Sequence, residues 1–310
     1  IGVSVYVEIT SGGTNHEDAR IEVLPDGRAI VYTGTSPHGQ GHVTAWSMIA
    51  SEHTGIAMDK IDVVWGDTDL IPEGKGTYGS RSLQLGGAAV HETAIKLVEQ
   101  AKIFAATQLE AAESDIVLDK ERGVFHVAGT PAKSTSWGDL ASSRANDGGL
   151  TFAHRFTSGG ATFPFGAHVA VVEVDTETGK VTHLRQIACD DAGTVLNPLL
   201  LEGQIHGGIA QGSAQALLEE FVYDADGNPK TGNLAEYAFI SAVEAPQIEL
   251  VAMATPTPRN PLGAKGVGES GTIGSTPAVQ SAVVDAVAHL GVRHIDMPTT
   301  PERVWQAINE

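Results

Sequence analysis

Gly263-Ala-Lys-Gly-Val-Gly-Glu-Ser-Gly-Thr-Ile-Gly274 places a single carboxylate, Glu269, inside a loop built largely of glycine. Within it, Gly266-Val-Gly-Glu-Ser-Gly271 fits the G-x-G-x-x-G pattern of dinucleotide-binding parallel sheets. That pattern carries meaning only directly after a strand and at the mouth of a helix. Here the nearest strand-like run upstream, Ile248 to Ala254, is followed by Thr-Pro-Thr-Pro-Arg-Asn-Pro. Downstream, the helix signal starts near Ser275 or Thr276, with Pro277 suited to a first helical turn. Context therefore argues against a dinucleotide fold. Two readings stand ahead of it: a structural glycine loop, or one whose positive φ angles and close backbone approach let its N–H groups wrap a ligand. In the second, Glu269 stands where a general base is useful.

Working outward, the chain reads as two halves with one plan. Ile1 to Ile9 alternates like a strand and begins abruptly, as part of a larger unit would. Ala19 to Gly34 reads as a hairpin turned at Pro25-Asp-Gly27. The loop Thr35 to Gly41 then leads into a helix-like segment from Val43 to His53, and a short strand follows at Ile61 to Trp65. A long helix is expected from about Leu85 to Ala112, with Ile95, Val98, Ile103 and Leu109 as its apolar positions. Ser142 to Phe163, rich in Gly, Asn, Ser and Thr, reads as the connection. The second half repeats hairpin, polar loop and helix: Ala167 to Asp175 with Lys180 to Cys189, then Asp190 to Pro198, then Leu200 to Glu220. Helices near Pro277 to His289 and Pro301 to Asn309 close the chain, the last with Thr300 as its N-cap. The expected fold is α+β: two mixed α/β subdomains, residues 1–150 and 151–310, each with a hairpin-containing sheet packed against helices.

Composition narrows the partners. At 310 residues the chain can bury a large core, and 42% hydrophobic with 18% charged residues is ordinary for a globular protein. The formal net charge of −19 repels phosphate backbones and argues against a nucleic-acid partner. No apolar run reaches transmembrane length. The lone Cys189 rules out an internal disulfide, suits a reducing cytoplasm and cannot supply an iron–sulfur cluster. Among the twelve histidines only His38 and His42 have i, i+4 spacing, and Pro37 with Gly39 and Gly41 puts them in a loop, so no protein-ligated metal is expected.

Four segments share a chemical style of glycine beside small hydroxyls, amides or one cation. They are Gly39-Gln-Gly-His42, Thr77-Tyr-Gly-Ser-Arg-Ser82, Asn197 through Gln204, and Lys265 through Glu269. Several precede helices, where free N–H groups favour anionic ligands. Gln40 and Gln204 can donate and accept together, and the Arg81 fork suits a pyrophosphate. Taken singly each has a plainer reading: Arg81 as an ion-pair residue, Gln204 as a solvated helix residue, Ser80 and Ser82 as caps.

In their order along the chain these segments resemble the molybdenum hydroxylase family of xanthine dehydrogenases, aldehyde oxidases and carbon monoxide dehydrogenases. The motifs are Gly-Gln-Gly-His, Gly-Thr-Tyr-Gly-Ser-Arg-Ser, Leu-Asn-Pro then Glu-Gly-Gln-Ile-His-Gly-Gly, and Lys-Gly-Val-Gly-Glu. The likeness is closest to the bacterial carbon monoxide dehydrogenase-like branch and corresponds to the C-terminal half of the large subunit. The resemblance implies an oxidoreductase that binds molybdopterin cytosine dinucleotide with molybdenum. Implied cofactor contacts come from Gly39, Gln40, Gly41, Gly79, Ser80, Arg81, Ser82, Asn197, Gln204, Lys265, Gly266 and Val267, with Glu269 as catalytic base. It further implies partners: the N-terminal half of the large subunit, an iron–sulfur subunit carrying [2Fe–2S] clusters and a flavin subunit carrying FAD, assembled as a homodimer of the complex. The implied substrate is a small aldehyde, purine, N-heterocycle or carbon monoxide, hydroxylated with water as the oxygen source or, for carbon monoxide, oxidised. Alone, the chain is expected to be inactive. Asn233-Leu-Ala-Glu-Tyr-Ala-Phe-Ile departs modestly from the family's usual Tyr-Leu-Ile-Pro run. Two other functions stay open at this point: a non-catalytic assembly module of the same fold, and an unrelated nucleotide-binding protein.

Overall fold

A computed structural model describes residues 1–11, 13 and 15–310. In chain order its strands and main helices are β1 Gly2–Val7, β2 His16–Val23, β3 Ala29–Thr33, α1 His42–Thr54, β4 Ile61–Val64, α2 Ala88–Gln108, β5 Ile116–Asp119, β6 Val124–Val127, β7 Thr130–Ser136, α3 Trp137–Arg144, β8 Leu150–Thr157, β9 Phe165–Val174, β10 Val181–Asp191, α4 Pro198–Leu217, β11 Gln247–Met253, α5 Ser270–Val287 and α6 Pro301–Asn309. The fold is α+β, with mixed sheets against helices as expected.

The chain divides into two units, but not at residue 150. One comprises Ile1–Ile9, Phe163–Pro256 and Val267–Glu310, and the other Thr10–Thr162 and Thr257–Gly266. Backbone pairing is the reason. The opening strand β1 runs antiparallel to β9 from Gly2↔Ala170 to Val7↔Phe165, which ties the N-terminus to the second half. Residues 142–163, expected to be a connection, contain β8, which pairs with β2 along its whole length from His16↔Thr157 to Val23↔Leu150. The polar flanks of this stretch hide a strand core of Leu150, Phe152 and Phe156.

In the Thr10–Thr162 unit, the sheet order is β4-β3-β2-β8, with a separate meander β5-β6-β7. Strict alternation along β2 buries Glu17, Ala19, Ile21 and Val23 on one face. Against β2, β8 and α1 packs α2, whose buried residues are chiefly Ala88, Ala89, Ala94, Leu97, Ala101 and Ala105. Of the expected apolar positions, Leu109 is buried, Ile95 and Val98 are half-buried and Ile103 is 47% exposed, so the buried face is a different one. Small side chains let the helix lie close to the sheet, and close packing outweighs side-chain size. A π-helical turn, Ser82–Gly87, precedes α2, so the α-helix proper starts later than expected.

In the other unit the sheet order is β1-β9-β10-β11, with β10 and β11 parallel. Its core joins Ala278, Val279, Ala282 and Val283 of α5 to Ala216 and Leu217 of α4 and Val304 of α6. Thr300 caps α6 as expected, its side chain accepting from the Arg303 N–H. The helix α5 begins at Ser270, not at 275 or 276, and Pro277 lies inside it. Two glycines in Ser270-Gly-Thr-Ile-Gly274 cost helix propensity, each about 1 kcal/mol relative to alanine, which masks the true start in the sequence. Packing overrides that cost. A Cβ on Gly271 would lie 2.6 Å from the Ile205 carbonyl oxygen, and one on Gly212 would lie 2.0 Å from Ser275 Oγ. The two helices thus meet backbone to backbone, and Thr272 Oγ1 donates to the Gly208 carbonyl at 2.9 Å.

Candidate functional site

Each unit gathers part of the constellation. In the Thr10–Thr162 unit, Gly79 and Ser80 both adopt left-handed backbone angles, φ +56° and +52°. For a serine this is strained, of order 1–3 kcal/mol, the kind of outlier that clusters at ligand-binding sites. The loop is held by Ser11, whose N–H donates to the Gly79 carbonyl at 2.7 Å. Gly266 lies directly against it: a Cβ there would sit 2.0 Å from the Ser80 carbonyl oxygen. Lys265 and Gly266 are buried, and Gly266 N–H donates to Thr162 Oγ1 at 3.3 Å. So two sequence-distant segments, Gly79–Ser82 and Lys265–Gly266, do come together.

Their tie is a residue that sequence reasoning missed. Gln84 Nε2 donates to the Ser80 carbonyl at 2.9 Å and to Thr10 Oγ1 at 2.8 Å. Thr10 and Thr162 share a hydroxyl hydrogen bond of 2.7 Å. Gln84 Oε1 is buried without a hydrogen-bond partner among the described residues. Its only signal in the sequence is a position one helical turn after Ser80.

Arg81 is a correction. Its fork, expected to meet a pyrophosphate, is fully buried and turned inward. Nη1 donates to Glu17 Oε2 at 2.5 Å and to the Gly76 carbonyl at 2.6 Å, and Nη2 to the His16 carbonyl at 2.8 Å. A buried guanidinium must be compensated this way, since desolvation of an unpaired charge costs several kcal/mol. Arg81 therefore shapes the loop from below. Ser82 Oγ bonds Thr77 Oγ1 at 3.1 Å, bracing the same turn.

The Gly39–His42 segment opens α1. Gly41 is its N-cap at φ +82° with no side-chain cap, so the first N–H groups of the helix are not claimed by a capping side chain. Gln40 turns back locally, its Oε1 accepting from the His38 N–H. His42 is structural: Nδ1–H donates to the Thr35 carbonyl at 2.9 Å, the ring rests on Trp46, and burial lowers its pKa. No group of three or more metal-ligating side chains occurs among the described residues.

In the other unit, Asn197 caps α4, its Oδ1 accepting from Leu200 N–H at 3.2 Å, with Pro198 in the first turn. Gln204 is half-buried, and among the described residues the flanking Gly203 and Gly207 would meet nothing within 4 Å if given a Cβ. Open space thus borders Gln204. Val267 packs its side chain beside Ala188, Ile205 and Ile209 and so has only its backbone to offer. Glu269 is exposed, at the N-cap position of α5.

Residues 1–246 match the family described as the molybdopterin cofactor-binding domain. This chain belongs to that family. Over its whole length it is 39% identical to the carbon monoxide dehydrogenase large chain of Hydrogenophaga pseudoflava, of which it covers 40%. It is 36% identical over 98% of its length to the gamma subunit of the 6-hydroxypseudooxynicotine dehydrogenase complex of Paenarthrobacter nicotinovorans, covering 39% of that protein. Among solved structures, carbon monoxide dehydrogenase from Oligotropha carboxidovorans superposes on 99% of the chain with a TM-score of 0.87 at 36% identity, and 40% of that chain is covered. Quinoline 2-oxidoreductase from Pseudomonas putida 86 gives the same TM-score of 0.87 at 35% identity, with 100% of this chain and 42% of that one covered. The molybdopterin-binding chain thus spans about two fifths of the relatives it matches. Its residues suit a pterin cofactor: a strained Gly79–Ser80 turn against Gly266, a buried Gln84 acceptor with no partner among the described residues, and glycine-bordered space beside Gln204.

Proposed function

We propose that this chain is the cofactor-binding and base-supplying part of a molybdenum hydroxylase large subunit. The observation that carries the reading is the likeness of essentially this whole chain to 40% of carbon monoxide dehydrogenase large chains, joined to an exposed Glu269 mounted at the start of α5. The cofactor is molybdopterin cytosine dinucleotide. When bound, it supplies the metal redox centre at which the substrate is oxidised. Backbone groups of Gly39, Gly41, Gly79, Ser80, Gly266 and Val267, with the side chains of Gln40, Ser82, Asn197, Gln204 and Lys265, hold it. Arg81 contributes by bracing the Gly76–Ser82 loop and not through its fork.

Glu269 takes up the proton released as the oxygen nucleophile is activated. A carboxylate at a helix start is held by the helix backbone yet stays reachable, which is what a positioned base requires. The substrate is a small aldehyde, N-heterocycle or carbon monoxide. The remaining part of the large subunit completes the pocket and sets that choice. Iron–sulfur and flavin subunits carry the electrons away, so the isolated chain has no turnover.

The test is Glu269→Gln in the assembled complex. Molybdenum content and folding are expected to match wild type, while the reductive half-reaction per bound molybdenum falls about 10²–10⁴-fold. Wild-type rates with an unchanged pH profile would sink the assignment.

A further inference from the structure

Beneath the first turns of α5 lies a polar chain, buried but for the half-buried Tyr6, that proton uptake by Glu269 does not itself use. Tyr6 OH donates to Asp190 Oδ1 at 2.6 Å. His168 Nε2 lies 3.0 Å and 3.2 Å from the two oxygens of the same carboxylate. Gln186 Nε2 reaches His168 Nδ1 at 3.1 Å. With the amide donating to Nδ1, the ring proton sits on Nε2 and points at Asp190. His168 and Gln186 have no exposed surface. These residues come from β1, β9 and β10, so the chain laces together three adjacent strands.

Its far side is a contact with the helix. A Cβ on Gly274 would stand 2.5 Å from the His168 ring, so the imidazole is pressed flush on the α5 backbone at that point. Ser4 Oγ donates to the Gly274 carbonyl at 2.5 Å, adding a second tie from β1. Gly274 follows Glu269 by five residues, about 7.5 Å along the helix at 1.5 Å per residue. Over the same turns, α4 holds Gly271 and Thr272 by the close approach already described. The first turns of α5 are therefore gripped by the sheet and by α4, each through a close backbone approach and a hydrogen bond.

The geometry points to the Tyr6–Asp190–His168–Gln186 chain as a positioning assembly for Glu269: it fixes the His168 ring as a wedge under Gly274 and so sets where the carboxylate stands. This rests on the reading of Glu269 as the base. Tyr6 and His168 touch neither substrate nor cofactor in this role. Burial and the neighbouring Asp190 raise the Tyr6 pKa well above its ordinary value, which keeps the phenol a permanent donor and not a proton carrier. A small displacement of a catalytic group is expensive, on the order of 10²-fold in rate for about 1 Å.

Tyr6→Phe removes one hydroxyl and leaves the packing, and Asp190→Asn keeps the shape while weakening both hydrogen bonds. Two measurements decide. In the full chain, amide hydrogen exchange at 270–274 is expected to speed up about tenfold in either variant, while residues 279–287 of the same helix keep wild-type rates. In the assembled complex, kcat per bound molybdenum is expected to fall about tenfold, with KM and molybdenum content unchanged. Unchanged exchange at 270–274, or an equal rise throughout α5, overturns the proposal, as does faster exchange with wild-type kcat. Should Glu269→Gln prove fully active, the base assignment fails by that result. The grip on the helix start is then judged by exchange alone. If Asp190→Asn does not fold, Tyr6→Phe still gives both readings.

Discussion

The guanidinium of Arg81 has no exposed surface and bonds Glu17, which is itself 1% exposed. Removing one member of such a pair leaves the other buried and uncompensated, a loss of about 3–5 kcal/mol. Arg81→Ala is therefore expected to lower the urea-unfolding free energy by that amount, and cofactor content with it. A variant that loses molybdenum at unchanged stability would instead return the fork to the cofactor. Arg81→Lys should recover only part, because an ammonium cannot reach Glu17 and two carbonyls with a planar fork. In sequence, Arg81 stands among Gly79, Ser80 and Ser82 and looks like a ligand contact. Its partner Glu17 lies 64 residues away, and nothing local marks it.

At the scale of elements, the α4–α5 contact is where the sequence was hardest to read. Gly212→Ala would drive a Cβ to 2.0 Å from Ser275 Oγ and 2.9 Å from the Thr272 carbonyl. Overpacking of this kind costs about 1–3 kcal/mol. The matched control is Gly203→Ala on the same helix, which meets nothing within 4 Å among the described residues and should stabilise by about 0.4–1 kcal/mol through the unfolded chain. Thermal unfolding of the two variants checks the pair; equal effects would remove the close approach as the reason for glycine here. The same logic explains the misplaced helix start. Gly271 and Gly274 look like loop residues until α4 and His168 are laid against them. The capping box at Ser136 and Asp139, by contrast, is a local pattern at its usual spacing, legible without any distant partner.

For the whole molecule, stability should fall in acid over two successive, overlapping windows. Burial pushes His183 down to about 4, and burial with His91 and Lys120 nearby takes His53 to about 4. An unfolded histidine takes its proton near 6.5, before the folded one does. The stabilisation is thus complete above about 6.5 and is lost as pH falls toward 4. Glu73, held near 2 by Lys75, Arg155 and His16, works in a lower window, between its unfolded value of 4.5 and about 2. Unfolding free energies at several pH values test this. His183→Leu should flatten the upper step and leave the lower one, and an unaltered upper step would discount His183 as its source.

Local chemistry in the sequence was enough to determine the α+β class, the hairpin turned at Pro25–Gly27 and the one joining Ala167–Asp175 to Lys180–Cys189, the Thr300 cap and the order of the four glycine-rich segments. These follow from turn residues, alternation and capping, which act over a few residues. The tertiary structure alone decided which segments share a unit, that β1 belongs with β9, that α2 is buried by its alanines, and that Arg81 faces inward. Each of these depends on a partner far away in the chain. Strand pairing and backbone-to-backbone packing are satisfied only once the distant segment arrives, so no local pattern encodes them.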